Sequence, residues 1–218
     1  MGGPTNFMKI YEPRYDEQTG TYYDPAGMRL ERVTDILGGE LDLYYGYSEY
    51  YAERGSDVHT AIRLFTENDI NEAGFTAEVL EYLECYRRAV ADRKIIIAHS
   101  EVRRYHKLYR YTGAMDAIAT VDGVQGIIDF KSGLPAGWHK WQLALYAELV
   151  KHEFPGVKPA RWNLYLRPGA FDGLGYKLVR QDGKSDLTEA LTLLSAFLLK
   201  KREGYIKEKR KKGEQHDG

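Results

Sequence analysis

Apolar residues recur along the chain with two different periods, and the switch between them marks out the elements. From about Ser56, a good N-cap residue, Val58, Ile62 and Phe65 fall on one helical face. A second helix is predicted from about Thr76 to Arg93, with Val79, Leu80, Leu83, Tyr86 and Val90 as its stripe. At Lys94 the pattern turns strand-like. Lys94–Ala98 and Glu101–Tyr109 are extended material, and Gly113–Lys131 reads as a hairpin turned by Asp122-Gly123, a dipeptide suited to the positive φ angles of a tight turn. Trp138 to Lys151 is an amphipathic helix, Arg161–Arg167 and Tyr176–Gln181 alternate like strands, and Leu187–Arg202 is a last helix. The first 53 residues show no clear period and carry turn signals at Asp24-Pro25 and Gly38-Gly39. From residue 76 the order is α-β-β-β-α-β and then further elements. This predicts an α/β fold, a mixed central sheet flanked by helices.

With 218 residues, no repeat, no low-complexity stretch and no linker, a single domain over 1–218 is expected. Its core spans about 54–167, with an N-terminal decoration at 1–53 and a C-terminal strand and basic helix at 175–212. No apolar run approaches the roughly 20 residues of a membrane span, and the N-terminus lacks a signal-peptide apolar core, so a cytoplasmic protein without membrane contact is expected. The lone Cys85 excludes an internal disulfide and any cysteine-built zinc or iron–sulfur site.

The net charge of −1 hides a polarity. Acids such as Glu12, Asp16, Glu17, Asp24 and Glu31 gather early. Basic residues gather later, at Arg87, Arg88, Arg93 and Lys94, at Arg103, Arg104, Lys107 and Arg110, and in the tail from Lys200 to Lys212. Such patches follow a phosphate backbone, although for the tail a solvated helix end is an equal reading.

The hairpin carries the candidate chemistry. If Asp122 and Gly123 form a two-residue loop, Val121 faces Val124, and five steps further back Asp116 faces Asp129. Carboxylates so placed are about 4.5–5.5 Å apart at Cβ and repel, so the pair needs a cation or a proton. Lys131 lies two residues past Asp129 on the same strand face, while Ile128 and Phe130 point the other way. Asp129 also ends an apolar run, Gly126-Ile127-Ile128, where an unpaired carboxylate would be costly. A metal between hard oxygen ligands would satisfy the pair, and such ligands favour Mg²⁺ or Mn²⁺ over zinc. Two separate surface acids with a surface lysine are the bland alternative.

Gly113-Ala114-Met115-Asp116, then Ile127-Ile128-Asp129-Phe130-Lys131-Ser132-Gly133, then Gln142-Leu143-Ala144-Leu145-Tyr146-Ala147 resemble the PD-(D/E)xK nuclease superfamily. The similarity is to its RecB-like branch of phage exonucleases, Cas4-type proteins and mitochondrial genome-maintenance exonucleases. Arg32-Val33-Thr34-Asp35-Ile36-Leu37 resembles the branch's N-terminal element, and Gly55-Ser56-Asp57-Val58-His59 its glycine-x-x-x-histidine motif. The resemblance covers roughly residues 30–167 and implies a restriction-endonuclease-like core.

It further implies a metal-dependent DNA exonuclease acting in recombination, repair or phage DNA processing, in a bacterial or phage-infected cell. One or two Mg²⁺ or Mn²⁺ ions would be held by Asp116, Asp129, His59 and the Phe130 carbonyl, with Asp116, Asp129 and Lys131 as the catalytic set. His59, read as lying in the first turns of its helix, would be kept neutral by the helix dipole. Gln142 and Tyr146, spaced i, i+4 on one helix face, would contact DNA or the lysine. Arg103 and Arg104 would meet DNA, and Glu101 is either an acid near the metals or a solvated strand end. Tyr44, Tyr45, Tyr47, Tyr50 and Tyr51 either stack on unpaired bases or pack half-buried against helices. Met115 stands where the family has its proline, and the missing cysteine cluster argues against an iron–sulfur member. The expected partner is linear duplex or single-stranded DNA, and with it a single-strand annealing or recombination protein. Oligomeric state, polarity and strand preference are open. Three competing readings also stay open: a structure- or site-specific endonuclease, a non-catalytic DNA-binding recombination partner on a nuclease-like scaffold, and an α/β protein whose hairpin acids are incidental.

Overall fold

The computed structural model describes residues 12–43, 48–155 and 158–205. Its elements are β1 (Arg14–Asp16), β2 (Thr21–Tyr23), β3 (Arg29–Arg32), α1 (Val33–Glu40), α2 (Glu49–Thr66), α3 (Ala77–Asp92), β4 (Ile96–His106), β5 (Tyr111–Val121), β6 (Val124–Lys131), α4 (His139–Val150), β7 (Ala160–Leu166), β8 (Tyr176–Arg180) and α5 (Asp186–Arg202). The strands form one mixed sheet in the order β1-β2-β3-β5-β6-β7-β8, with β4 pairing β5. One face packs on α2 and α3 through Val58, Ile62, Leu83 and Tyr86. The other packs on α1, α4 and α5 through Ile36, Leu143, Leu145 and Leu194. The mixed α/β architecture expected from the pattern is the one observed. Among the described residues no helix is long and apolar enough to cross a membrane.

β5 organises the sheet. It pairs antiparallel with β4 over nearly its whole length, which occupies one of its two edges. The other edge is shared: β3 runs parallel to it at Tyr111 and Thr112, and β6 pairs antiparallel with it from Ala117 to Val121. Residues 113–116 therefore face a gap between β3 and β6. The two faces of β5 also exchange at this point. Tyr111 and Met115 belong to the α4-side core, but Ala117, Ala119 and Val121 belong to the α2–α3 core, although all five are odd-numbered. A regular strand keeps such positions on one face, so the strand is irregular at Asp116, at the edge of the gap.

The Asp122-Gly123 loop is observed, with φ of 48° and 82° at its two residues. Val121 pairs with Val124 and the ladder runs back to Ala117 opposite Ile128, in the register counted from the sequence. β6 then crosses through α4 to β7, which lies parallel to it with Asp129 beside Asn163.

Several expectations are corrected. α2 begins at Glu49, seven residues before Ser56, which is an exposed residue inside the helix. Gly55 is also inside the helix, and a Cβ there would lie 3.3 Å from Ser132 Oγ, so its bare backbone lets α2 pass close to the end of β6. Gly38 and Gly39 are no turn but part of α1, and Gly39 admits the ring of Phe197 from α5. Strand β4 is one irregular strand rather than two, its register shifting between Ile97 and His99. α4 is buried on nearly every side rather than along one stripe, because the sheet, α1 and α5 enclose it. The 1–53 region supplies three sheet strands and a helix within its described part.

Candidate active site

The gap beside β5 collects the predicted site. Asp116 projects from the strand irregularity, and its Oδ2 accepts a 2.6 Å hydrogen bond from the Phe130 N–H. Its Oδ1 lies 3.0 Å from His59 Nδ1 on α2. On β6, Asp129 is 3% exposed, and its Oδ2 is 2.6 Å from the Lys131 ammonium. Lys131 Nζ also donates to Gln142 Oε1 at 2.7 Å, and Gln142 Nε2 donates to the Tyr146 hydroxyl at 3.0 Å. The ammonium can only donate, so the Gln142 oxygen must face the lysine, which turns its NH2 toward the Tyr146 hydroxyl. Trp138 lies beside the same ammonium, 5.6 Å from ring centroid to Nζ.

Burial presses on all these groups, and their mutual charges decide the outcome. Burial pushes the Asp129 carboxyl up. The negative charge of Asp116 adds to this and Lys131 only partly offsets it, so it sits above the ordinary carboxylate value. Burial pushes Asp116 up as well, but the His59 ring, the lysine and the Phe130 N–H outweigh it and hold it low. His59 is pushed down by burial and up by Asp116 and Asp129, and the acids prevail. This corrects the expected helix-dipole effect, because His59 lies ten residues beyond the start of α2, far from its N-terminal turn. Burial, then the charge of Asp129, pushes the Tyr146 phenol far above its usual value, so it serves as a neutral hydrogen-bonding group.

The donor set suits a hard divalent cation. Two carboxylates approach from adjoining strands, one of them deeply buried, and their positive counterparts are a ring nitrogen and an ammonium. Mg²⁺ needs no more than one or two protein carboxylates, because it keeps several of its waters. Among the described residues no three His, Cys, Asp or Glu side chains are grouped so that they could hold a metal ion.

The remaining predicted residues fall into two groups. Gln142 reaches the lysine, Tyr146 reaches Gln142, and both are buried. Glu101 has a φ of 50° and sits between Ser100 and Val102, which pair with Ala117 and Met115, so it neighbours Asp116 across the sheet. Its carboxylate is 3.4 Å from Arg63, and both line a small cleft with His59 and Asp116. Arg103 donates to the Tyr22 hydroxyl at 2.8 Å and lines a cavity of about 200 Å³ with Thr34, Gly113 and Tyr146. Arg104 is corrected: the residue is 6% exposed and its guanidinium is bonded to Glu153 at 2.7 Å, which makes it a structural residue. Much of the expected basic surface is likewise engaged within the fold. Arg93 pairs with Asp122, Lys200 with Glu40, and Arg87 with Glu72 and Glu84. Residues 206–212 of the basic tail and Tyr44, Tyr45 and Tyr47 lie outside the described residues.

Sequence reasoning missed Asn163, which is fully buried and reaches Asp129 at 3.4 Å while accepting from Gln181. Its signal was one polar residue inside the apolar run Leu164-Tyr165-Leu166 and its upstream neighbours, but only the parallel register places it beside Asp129. Arg54 was also missed. It reaches the Ser132 carbonyl at 3.3 Å, one residue beyond the lysine.

No family model matches the chain, and no curated protein matches it in sequence. Among solved structures, a candidate exonuclease from Eubacterium rectale is similar with a TM-score of 0.52 at 13% identity, covering 82% of this chain and 83% of that one. An alkaline exonuclease from Laribacter hongkongensis has a TM-score of 0.39 at 11% identity, covering 80% and 89%. At such identity the first likeness is one of fold: the mixed sheet with flanking helices is shared with a protein bearing an exonuclease name.

Proposed function

We propose that this chain is a metal-dependent deoxyribonuclease that hydrolyses phosphodiester bonds from DNA ends, with Mg²⁺ or Mn²⁺ as its cofactor. The observation that carries this reading is the buried Asp129–Lys131–Gln142 chain beside Asp116 and His59. Asp116 and Asp129 would hold the ion, with His59 beside Asp116 and the Phe130 carbonyl nearby on the strand. A bound divalent ion supplies acidity to its waters and positive charge for the phosphoryl oxygens.

The chain's own residues then do the rest. Lys131 spends two donors on Asp129 and Gln142 and keeps a third for a phosphate oxygen or the attacking water. Gln142, held by Tyr146, fixes where that ammonium points, and such preorganised charge acts without reorganising during the reaction. Asn163 donates to the same Asp129 oxygen that meets Lys131, which helps to fix the carboxylate and leaves its other oxygen for the ion. The DNA-end preference, a role in recombination, repair or phage DNA processing, and a recombination-protein partner belong to the same proposal, as does a cytoplasmic site of action. They are supported by the sequence resemblance.

The test is digestion of linear duplex, linear single-stranded and covalently closed circular DNA in Mg²⁺, Mn²⁺ or EDTA. Metal-dependent loss of linear DNA with circles spared is expected. Cut circles would replace the exonuclease with an endonuclease, and binding without cleavage under either metal would overturn the catalytic reading.

A further inference from the structure

Two tyrosines stand at the rim of this site with most of their surface in solvent. Tyr50 is 56% exposed and Tyr51 61% exposed, both in the first turn of α2. Their rings meet edge to face with centroids 5.5 Å apart. They are held by one side chain. The Arg54 guanidinium lies 5.0 Å from the ring of Tyr51, 5.9 Å from that of Tyr50 and 5.0 Å from that of the buried Tyr82. The same guanidinium bonds Glu78 at 3.2 Å and the Ser132 carbonyl at 3.3 Å, and the Tyr50 hydroxyl also donates to Glu78. The pair is thereby tied to the backbone immediately after Lys131.

Large exposed aromatic rings need a reason when a rigid network holds them outward. Arg54 covers part of the aromatic surface and leaves the rest open to a flat partner. The face of an unpaired base is such a partner, because stacking requires no particular sequence. A closed duplex hides its base faces and offers only the terminal pair.

We propose that Tyr50 and Tyr51 form a stacking platform that selects DNA with unpaired bases at its end. The strand would be gripped by rings that Arg54 links to the Ser132 backbone, next in sequence to the catalytic lysine. This deepens the nuclease reading and rests on it for the identity of the nucleic acid, while the binding itself is independent of cleavage.

The test is fluorescence anisotropy in EDTA, with a labelled oligothymidine, a blunt hairpin duplex and an oligonucleotide of abasic sites as probes. The wild-type chain should bind oligothymidine tighter than either other probe. Tyr51→Ala should weaken oligothymidine by about fivefold or more, the lower end of one base–aromatic stack, and leave the abasic strand unchanged. Tyr51→Phe should bind like wild type. Equal weakening on the abasic strand, or a Tyr51→Ala variant that binds oligothymidine like wild type, would overturn the platform. Tyr51-dependent binding without cleavage in Mg²⁺ would leave the platform standing and defeat the nuclease reading. Cleavage indifferent to Tyr51 and to unpaired bases would do the reverse.

Discussion

Gly113→Ala should damage the candidate site from a position that touches none of its charged groups. Gly113 is buried on β5 opposite α4, and an added Cβ would lie 2.5 Å from Tyr146 Cε1, 2.8 Å from Cδ1 and 3.2 Å from Leu149 Cδ1. Carbon–carbon contacts sit near 3.5–4.0 Å, so the ring must retreat by about 1 Å. Tyr146 is only 3% exposed, so the ring can retreat only against its packed neighbours or into the cavity that it lines with Gly113. Overpacking of this kind costs roughly 1–3 kcal/mol, and in a domain of this size each kcal/mol lowers the melting temperature by about 2–4 °C. A fall of about 5 °C is expected. The Tyr146 hydroxyl accepts from Gln142, whose oxygen holds Lys131, so the retreating ring loosens the ammonium. Misplacing a catalytic group by about 1 Å costs up to roughly a hundredfold in rate. Thermal melts and single-turnover cleavage of labelled linear DNA measure the two effects. Adding Tyr146→Ala makes room for the new methyl, so the double variant should melt higher than the sum of the single losses predicts. A Gly113→Ala chain that melts and cleaves like wild type would refute the packing path from β5 to the lysine.

Two further predictions concern buried charge. His139 is buried, accepts from the Ala136 N–H and contacts the Tyr165 hydroxyl. Burial, with Lys131 adding to it, depresses its pKa to about 3. Below about pH 6.5 the unfolded chain binds a proton that the folded chain refuses, so this stability is complete above that pH and is lost progressively toward pH 3. Urea unfolding at pH 7 and pH 5 should show about 2 kcal/mol lost on this account. His139→Gln should lack that part of the slope, and equal slopes would contradict the assignment. Arg161 and Asp186 form an ion pair at 2.8 Å with both side chains almost wholly buried. Asp186→Ala strands the guanidinium and should cost about 3–5 kcal/mol in a denaturant titration, whereas replacing both residues with leucine should recover much of it. An unchanged midpoint in Asp186→Ala would show that the pair is dispensable.

The hairpin was legible in the sequence because a two-residue Asp-Gly loop fixes every pairing by counting, and Asp116 and Asp129 are local to that count. The i, i+4 spacing put Gln142 and Tyr146 on one helix face, but only the family resemblance pointed that face at DNA or the lysine. What escaped depends on contacts between distant parts of the chain. Asn163 reaches Asp129 only after the crossover through α4 sets a parallel register. Arg104 sits in a basic run that suggested surface, but Glu153, 49 residues away, draws it inside. The early start of α2 escaped because Ser56 has the chemistry of a cap and Gly55 before it disfavours a helix interior, while the glycine's close passage past Ser132 is a contact between distant segments. The exchange of faces at Asp116 has no signature in the pattern, since Met115 and Ala117 are both apolar and both buried.

The central claim is that Asp129 and Lys131 perform divalent-metal-dependent phosphodiester hydrolysis. It is tested most directly by single-turnover cleavage of end-labelled linear DNA in Mg²⁺ by the wild type, Asp129→Asn and Lys131→Met, with melting curves for all three. Wild-type cleavage should be abolished by EDTA. Each variant should fold and cleave at least about 10²–10³-fold more slowly, the usual cost of removing one preorganised charge at a transition state. Cleavage by either folded variant at the wild-type rate, or a wild type that cleaves equally in EDTA, would contradict it.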